Sequence, residues 1–147
     1  MSFNITPPPS EMDKRDEVLA KAYSNLIYFG RAFLPNDFLK KSESAPFHYE
    51  MGQKMIDTRP GARICNIIPR GHGKSVVAKA AIMHKLCFAA DDQQHFIAWV
   101  SEEQSQAIDH LKYIRSHFEN NKMIRYYFGN MDGGSVGKRW TEKDLVT

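Results

Sequence analysis

The sequence lacks the features that mark secreted and membrane-spanning proteins. Only two cysteines occur among its 147 residues, so a framework of disulfides is not indicated. The N-terminus carries no charged and then apolar leader, and no apolar run reaches the length of about 18 residues that a membrane helix needs. We therefore expect a reduced, cytoplasmic protein in which Cys65 and Cys87 are small buried hydrophobic residues.

Patterns typical of zinc sites and of serine hydrolases are also missing. The six histidines form no pair spaced by four residues and have no partnering cysteine. No Ser-His-Asp arrangement can be defended from spacing. The composition, 42% hydrophobic and 12% aromatic, excludes a disordered chain. The length suits a globular α/β domain or part of one.

Acidic residues are absent from one central stretch. Residues 61–90 contain five basic side chains and no acidic one, whereas residues 91–121 contain two basic and six acidic side chains. Positive charge therefore gathers in the first stretch, as a polyanionic ligand requires, although it is too modest to indicate DNA. The five basic residues are Arg63, Arg70, Lys74, Lys79 and Lys85.

One motif in this basic stretch carries most of the functional information. The apolar run 64–68 predicts a short buried strand, and residues 74–90 predict a helix without internal Pro or Gly. A glycine-bearing turn between them points main-chain N–H groups at an anion, and the helix start adds partial positive charge. The predicted phosphate-binding residues are Pro69, Arg70, Gly71, His72, Gly73, Lys74 and Ser75.

Three side chains of this loop have predicted chemical roles. Lys74 is expected to reach the β- and γ-phosphate oxygens, and the Ser75 hydroxyl is expected to bind Mg²⁺. Arg70 offsets charge on the γ-phosphate, with a solvated loop arginine as the alternative. We thus predict ATP and Mg²⁺ as ligands, with Arg70 and Lys74 as catalytic residues. The common pattern G-x-x-x-x-G-K-[ST] has its first glycine where this chain has Ile68.

The run Pro69–Ser75 resembles the deviant Walker A motif of the large terminase subunits of tailed bacteriophages, the ATPases that pump DNA into procapsids. Weaker matches at residues 29–35, 46–48 and 96–101 and at Trp140 also fit that family. The resemblance implies an α/β fold: a partial P-loop NTPase core, RecA/ASCE-like, whose parallel sheet has flanking helices and is preceded by N-terminal helices.

The resemblance covers roughly residues 25–147 and also implies an activity and partners. The complete protein would hydrolyse ATP to package double-stranded viral DNA. It would act in the cytoplasm of the infected host and would not associate with a membrane. Its partners would be the portal protein, the small terminase subunit and further copies in a homo-oligomeric ring. Phe47, His48 and Gln53 would contact the nucleotide base. The alternative places Phe47 in the core and the other two on the surface.

The chain order predicts three regions. Residues 1–9 form an extended leader, residues 10–60 a helical lead-in, and residues 61–147 the first part of the NTPase core. A second strand at 95–100 completes a βαβα order, which is typical of a parallel sheet. Other predicted elements are helices at 10–29, 46–56, 101–119 and 122–128, a glycine-rich loop at 129–138 and a strand or hairpin starting within 140–146.

An acid that would complete the hydrolytic machinery is missing. The second strand ends at Ser101, which forms a predicted capping box with Gln104, so Glu102 and Glu103 are interpreted as first-turn acids of a helix and not as Walker B. Phosphoryl transfer to water needs a metal-binding acid and a residue that orients the water. We therefore expect the front part of a longer ATPase, poorly active alone, with Walker B and a nuclease domain further on.

Two alternatives stay open at this point. One is a different P-loop NTPase, such as a helicase-like enzyme or a small-molecule kinase, because this loop serves many activities. The other is a non-catalytic remnant that binds nucleotide or DNA phosphate through residues 61–90.

Overall fold

The computed structural model describes residues 9–38, 43–59, 61–89 and 96–131. Throughout these ranges the regular secondary structure is helical, and no strand is formed. The helices are α1 (Pro9–Ser24), α2 (Leu26–Phe33), α3 (Pro46–Ile56), α4 (Lys74–Cys87), α5 (Gln104–Asn120) and α6 (Lys122–Phe128).

The prediction of an α/β fold with a parallel P-loop sheet is wrong for the part of the chain that the structure describes. Residues 64–68 and 96–100 belong to no helix or strand. Ile67 is 92% exposed and Phe96 is 97% exposed. A strand becomes stable when its backbone pairs with a neighbouring strand and one face is buried. Both predicted strands lack this pairing here, so most of their apolar side chains are exposed, although Ile68 packs against the core and Trp99 against His110.

The helix predictions were more accurate. α3 and α6 have the predicted bounds, and α4 begins at the predicted Lys74 but ends at Cys87, before the predicted end at residue 90. α5 begins later than predicted because its N-cap is Glu103, which makes no side-chain capping bond. The predicted capping box at Ser101 is therefore wrong. Ser101 Oγ instead accepts a hydrogen bond from Trp99 Nε1 at 3.2 Å.

The single helix predicted for residues 10–29 is divided at Asn25. This residue has an extended backbone, with φ −141° and ψ 109°, and its side chain accepts a hydrogen bond from the Tyr28 N–H at 2.9 Å. Asparagine is a favoured N-cap because its short side chain satisfies a free amide of the first turn. Gly30, expected to end the first helix, consequently lies inside α2. A Cβ there would come within 2.6 Å of the Phe38 ring.

The hydrophobic core forms around α2, which packs against α1, α3, α4 and α6. Phe29 and Phe33 are fully buried. The Phe29 ring centroid lies 5.0 Å from that of Phe33, 5.3 Å from that of His84 and 6.4 Å from that of Phe128. These contacts join α2 to α4 and α6, so the position of α4 depends on α2. The other fully buried large side chains are Leu26, Ile27, Leu34, Met83, Ile114, Phe118 and Ile124.

The two cysteines differ in their surroundings. Cys65 is exposed, contrary to the expectation that it is buried, because the predicted strand around it does not form. Cys87 is partly buried, and its Sγ lies 3.9 Å from the Met131 Sδ. Burial raises the pKa of the Cys87 thiol far above its ordinary value.

Several predictions lie outside the described residues. These are residues 1–8 of the predicted leader, residue 95 of the second strand, most of the glycine-rich loop, and the element within 140–146. The last residue of the predicted leader, Pro9, is the first residue of α1. The division of the chain at residue 60 stays a prediction. In the four ranges that are described, no helix combines the length and apolarity needed to span a bilayer.

His84 is a buried histidine that joins α4 to the end of α1. Its Nε2 lies 3.1 Å from the Ala22 carbonyl and 3.0 Å from the Tyr23 carbonyl, so this nitrogen donates to the last turn of α1. Such carbonyls have no partner within their own helix. Burial lowers the pKa of His84, and the Lys85 charge acts in the same direction, while the two carbonyls oppose them.

We expect stability to fall as the protein is acidified. Because the pKa of folded His84 lies below its ordinary value of 6.5, its contribution to stability is complete above pH 6.5 and is lost as the pH falls to the folded pKa. One proton changes the free energy of unfolding by at most about 1.4 kcal/mol per pH unit. Urea titrations between pH 8 and pH 5 should therefore show that the free energy of unfolding falls less steeply with decreasing pH in His84→Gln than in wild type. Burial also lowers the pKa of His110 and His117, so some slope persists. Equal slopes for both proteins would contradict this assignment.

Candidate phosphate-binding loop

The predicted loop, residues 69–75 and called the glycine loop below, leads directly into α4. Gly71 and Gly73 have left-handed backbones with φ of 81° and 73°, which residues with a Cβ adopt only under strain. Gly73 is the N-cap of α4, and its carbonyl accepts the first helical hydrogen bond, from the Val77 N–H at 3.0 Å. The amides of the first turn therefore have no helical partner and lie at the positive end of the helix dipole.

Lys74, the first residue of α4, folds back over the beginning of the loop. Its Nζ donates hydrogen bonds to the Ile68 carbonyl and, at 3.4 Å, to the Pro69 carbonyl. The ammonium group is thus held against the loop by uncharged acceptors. A phosphate oxygen would offer it a stronger, charge-assisted bond. The lysine is consequently placed to exchange these carbonyls for an anion.

The side chains of Arg70, His72 and Ser75 are exposed. Arg70 lies in the turn, and its carbonyl is 2.9 Å from the His72 Nδ1. Ser75 is the second residue of α4 and is therefore at the same end of the helix as the free amides. No acidic residue occupies the first turn. The first turn of α4 therefore combines basic and hydroxyl side chains and contains no carboxylate of its own.

Mg²⁺ would find one protein ligand at this loop, the Ser75 hydroxyl. No group of three or more His, Cys, Asp or Glu side chains suited to a metal ion occurs among residues 9–38, 43–59, 61–89 and 96–131. Mg²⁺ commonly keeps several waters and is held in part by substrate phosphates. The residues present therefore fit a Mg²⁺ ion that arrives with a nucleotide better than a permanently bound ion.

Phe47 and His48, two of the predicted base contacts, lie beside the glycine loop. His48 Nε2 is 2.9 Å from the His72 carbonyl, and His48 Nδ1 accepts the Ala45 N–H at 3.1 Å. The Phe47 ring centroid lies 4.1 Å from that of His48 and 6.4 Å from that of His72. Both ring nitrogens of His48 are thus occupied by backbone groups.

Gln53, the third predicted base contact, lines a separate groove. This groove has a volume of about 780 Å³ and lies between α3 and residues 62–64. The exposed Gln53 amide donates to Asp57 Oδ2 at 2.8 Å. The structure therefore places Phe47 and His48 at the loop, and Gln53 farther along α3.

A smaller cavity of about 180 Å³ borders the loop at Gly73. Asp37, Glu43 and Ser44 line it together with His48, and sequence reasoning identified none of these first three. Asp37 accepts a hydrogen bond from the Tyr113 hydroxyl. No sequence motif marked Asp37, because it reaches the cavity only through the packing of the segment after α2.

Tyr113 links this cavity to α4 and α5. The Lys79 Nζ lies 3.7 Å from the centroid of the Tyr113 ring, a cation–π contact. Burial raises the pKa of Tyr113, and its bond to Asp37 raises it further. The Tyr113 hydroxyl is therefore a neutral donor that keeps the Asp37 carboxylate occupied.

Comparison with known proteins identified no relative. No protein-family model matches the chain, no curated protein is similar to it, and no solved structure matches it. The resemblance to large terminase subunits therefore depends on the residues of the sequence itself, above all on Pro69–Ser75.

The geometry of the loop defines what it can do chemically. The free amides, Lys74 and Ser75 all belong to the first turn of α4, and the Lys74 ammonium lies against the loop. These groups can bind an anion with several oxygens and a metal ion that accompanies it. The two nearby carboxylates that share the cavity at Gly73 are Asp37 and Glu43.

Proposed function

We propose that this protein binds the triphosphate of ATP, together with Mg²⁺, at the glycine loop. The observation that carries the proposal is the position of two left-handed glycines immediately before the start of α4, with Lys74 folded against the same loop. An oxygen-rich anion would receive hydrogen bonds from the free amides and a charge-assisted bond from the ammonium. A triphosphate is long enough and charged enough to use both groups.

The charge pattern along the chain supports the same ligand. Residues 61–90 contain no acidic side chain, and the dipole of α4 places partial positive charge at Gly73. In this proposal Lys74 binds the β- and γ-phosphates, Ser75 binds Mg²⁺, and Arg70 offsets charge on the γ-phosphate. Phe47 and Gln53 stay our proposed contacts for the base.

The narrower proposal is that this chain is the ATP-binding part of a terminase-type motor that packages double-stranded viral DNA. Its support is the resemblance of Pro69-Arg70-Gly71-His72-Gly73-Lys74-Ser75 to that family. The described residues form no sheet, so the support comes from the loop and not from the fold. Double-stranded DNA, a portal protein, a small terminase subunit and a ring of copies are partners proposed on the same basis.

Calorimetric titration with Mg-ATP, Mg-ADP and inorganic tripolyphosphate tests the broader proposal. We expect all three to bind, Mg-ATP more tightly than Mg-ADP, because the loss of one phosphate removes oxygens that Lys74 reaches. Titration with duplex DNA at two salt concentrations tests the phosphate-binding alternative. If the protein bound DNA with an affinity that fell steeply with salt, and bound neither ATP nor tripolyphosphate, the proposal of nucleotide binding would be wrong. The loop would then be a binding site for DNA phosphates.

Replacing Gly73 with alanine should weaken Mg-ATP binding about fivefold to tenfold. A left-handed alanine costs about 1–2 kcal/mol, and the added Cβ would lie 3.3 Å from His48 Nε2. The loop would relieve this strain by moving its amides. Titration of the variant by calorimetry measures the effect.

Gly61→Ala is the matched control. Gly61 has φ 78°, and a Cβ there would meet no atom within 4 Å. It lies in the turn where the Ala62 N–H bonds the Arg59 carbonyl at 3.0 Å. Both variants should lose a similar free energy of unfolding, but only Gly73→Ala should lose affinity. If the two variants bound Mg-ATP with equal affinity, Gly73 would not belong to the binding site.

A further inference from the structure

We infer that His48 is a positioning residue that holds the glycine loop in its anion-binding shape. This inference rests on the proposed function, because it concerns how the same loop is prepared for a triphosphate. It also assigns His48 a role other than the base contact expected from the sequence. The evidence comes from the two ring nitrogens, which bond to two different parts of the backbone.

The hydrogen bonds of His48 define its tautomer. The Ala45 N–H, at the N-cap of α3, donates to Nδ1 at 3.1 Å. An acceptor nitrogen carries no proton, so in the neutral ring the proton is on Nε2. That nitrogen then donates to the His72 carbonyl, 2.9 Å away. One side chain therefore ties the start of α3 to the last peptide before the N-cap of α4.

This tether orients the peptide between His72 and Gly73. In a planar trans peptide the C=O and the N–H point in opposite directions. Because the His72 carbonyl points at His48, the Gly73 N–H points away from His48. The Gly73 backbone also lies close to the imidazole, since a Cβ at this residue would be 3.3 Å from Nε2. Without the tether this peptide could rotate and present its carbonyl oxygen to an incoming phosphate.

Preorganisation of this kind acts on the phosphates and not on the base. A loop already in its bound conformation loses less conformational entropy on binding. The loss of the tether should therefore weaken the binding of ATP and the binding of inorganic tripolyphosphate by the same factor. If His48 contacted the base instead, its substitution would lower the affinity for ATP and leave the affinity for tripolyphosphate unchanged. These two ligands separate the two roles of His48.

Two substitutions distinguish the two hydrogen bonds of His48. One is the tether, from Nε2 to the His72 carbonyl, and the other is the bond from the Ala45 N–H to Nδ1. His48→Asn places an oxygen where Nδ1 accepts the Ala45 N–H, but it has no atom at the place of Nε2. His48→Gln has an amide long enough to donate to the His72 carbonyl, and glutamine at this helix position can also bond the N-cap N–H. We expect Asn to weaken both Mg-ATP and tripolyphosphate about fivefold, the effect of one neutral hydrogen bond. Gln should restore affinity to within about twofold of wild type. Weakening of Mg-ATP alone, or equal losses in both variants, would overturn the inference.

Two further measurements do not need a ligand. Nitrogen-15 relaxation should give lower order parameters for the backbone of residues 71–74 in His48→Asn than in wild type and in His48→Gln. Nitrogen-15 NMR of the wild-type imidazole should show the proton on Nε2, and a proton on Nδ1 would overturn the inference even if the Asn variant fails to fold. If wild type binds neither Mg-ATP nor tripolyphosphate, the proposed function fails, while the two NMR measurements still decide whether the tether exists.

Discussion

Replacing Lys74 with alanine is expected to weaken Mg-ATP binding about 10-fold to 100-fold, because a hydrogen bond to a charged group contributes about 1.5–3 kcal/mol. The Lys74 ammonium lies against the loop, on the Ile68 and Pro69 carbonyls, and no other lysine lies in residues 61–73 to replace it. Calorimetric titration of both proteins with Mg-ATP measures the change.

The loss of affinity should occur without loss of stability. A positive side chain in the first turn of a helix opposes the helix dipole, and the relief of this repulsion offsets the loss of the Lys74 hydrogen bonds to the Ile68 and Pro69 carbonyls. Lys85→Ala is the matched control, since Lys85 lies in the last turn of the same helix, about 16 Å from Lys74 at 1.5 Å per residue. It should bind Mg-ATP as wild type does. Similar losses in both variants would point to general charge attraction and not to a site.

Phe29→Ala is expected to lower the free energy of unfolding by about 3–5 kcal/mol, the usual loss for a buried phenylalanine. Phe29 is fully buried, and its ring contacts those of Phe33, His84, Phe88 and Phe128. Small domains have about 5–15 kcal/mol of stability in total. A measurable fraction of the variant should therefore be unfolded at room temperature. Urea titration followed by far-UV circular dichroism measures this.

Tyr126→Ala is the aromatic control for that experiment. Tyr126 is 61% exposed, and its ring meets Tyr127 at 5.1 Å and the Arg15 guanidinium at 5.7 Å. Because most of this ring is already in water, its removal should cost less than about 1 kcal/mol. If both substitutions had the same effect, the core would not be centred on α2.

The helices were predictable because their signals are local. α6 follows Asn121, whose side chain accepts hydrogen bonds from Met123 N–H at 3.0 Å and Ile124 N–H at 3.2 Å, and Gly129 is its C-cap. α3 begins at Pro46, a residue suited to the first helical position. Such caps are complete within a few residues of sequence. The break at Asn25 used the same chemistry, but the apolar spacing on both sides favoured one continuous helix.

The predicted strands failed because their signal is not local. An apolar run such as 64–68 is compatible with a buried strand, yet burial and pairing depend on a partner elsewhere in the chain. In the described residues that partner is missing, and Phe96 and Val100 are 97% and 88% exposed. The pattern of the sequence records which side chains are apolar. It does not record whether another segment covers them.

Within the candidate site, too, residues with a local sequence signal were predictable and residues that depend on distant contacts were not. Gly71, Gly73 and Lys74 were predictable because the loop and the helix start are contiguous in sequence. The tether from His48 was not, since it joins residues 24 positions apart and depends on the packing of α3 against α4. Asp37, which shares a cavity with Gly73, was missed for the same reason.

The unequal environments of the two thiols give this protein a built-in attachment point for a reporter dye. Thiol reagents react with the accessible thiolate, so maleimide fluorophores should label the exposed Cys65 and spare Cys87, whose raised pKa keeps it protonated. Cys65 precedes the glycine loop by only a few residues. Ligand-induced changes around that loop can therefore be followed by fluorescence on the unmutated chain.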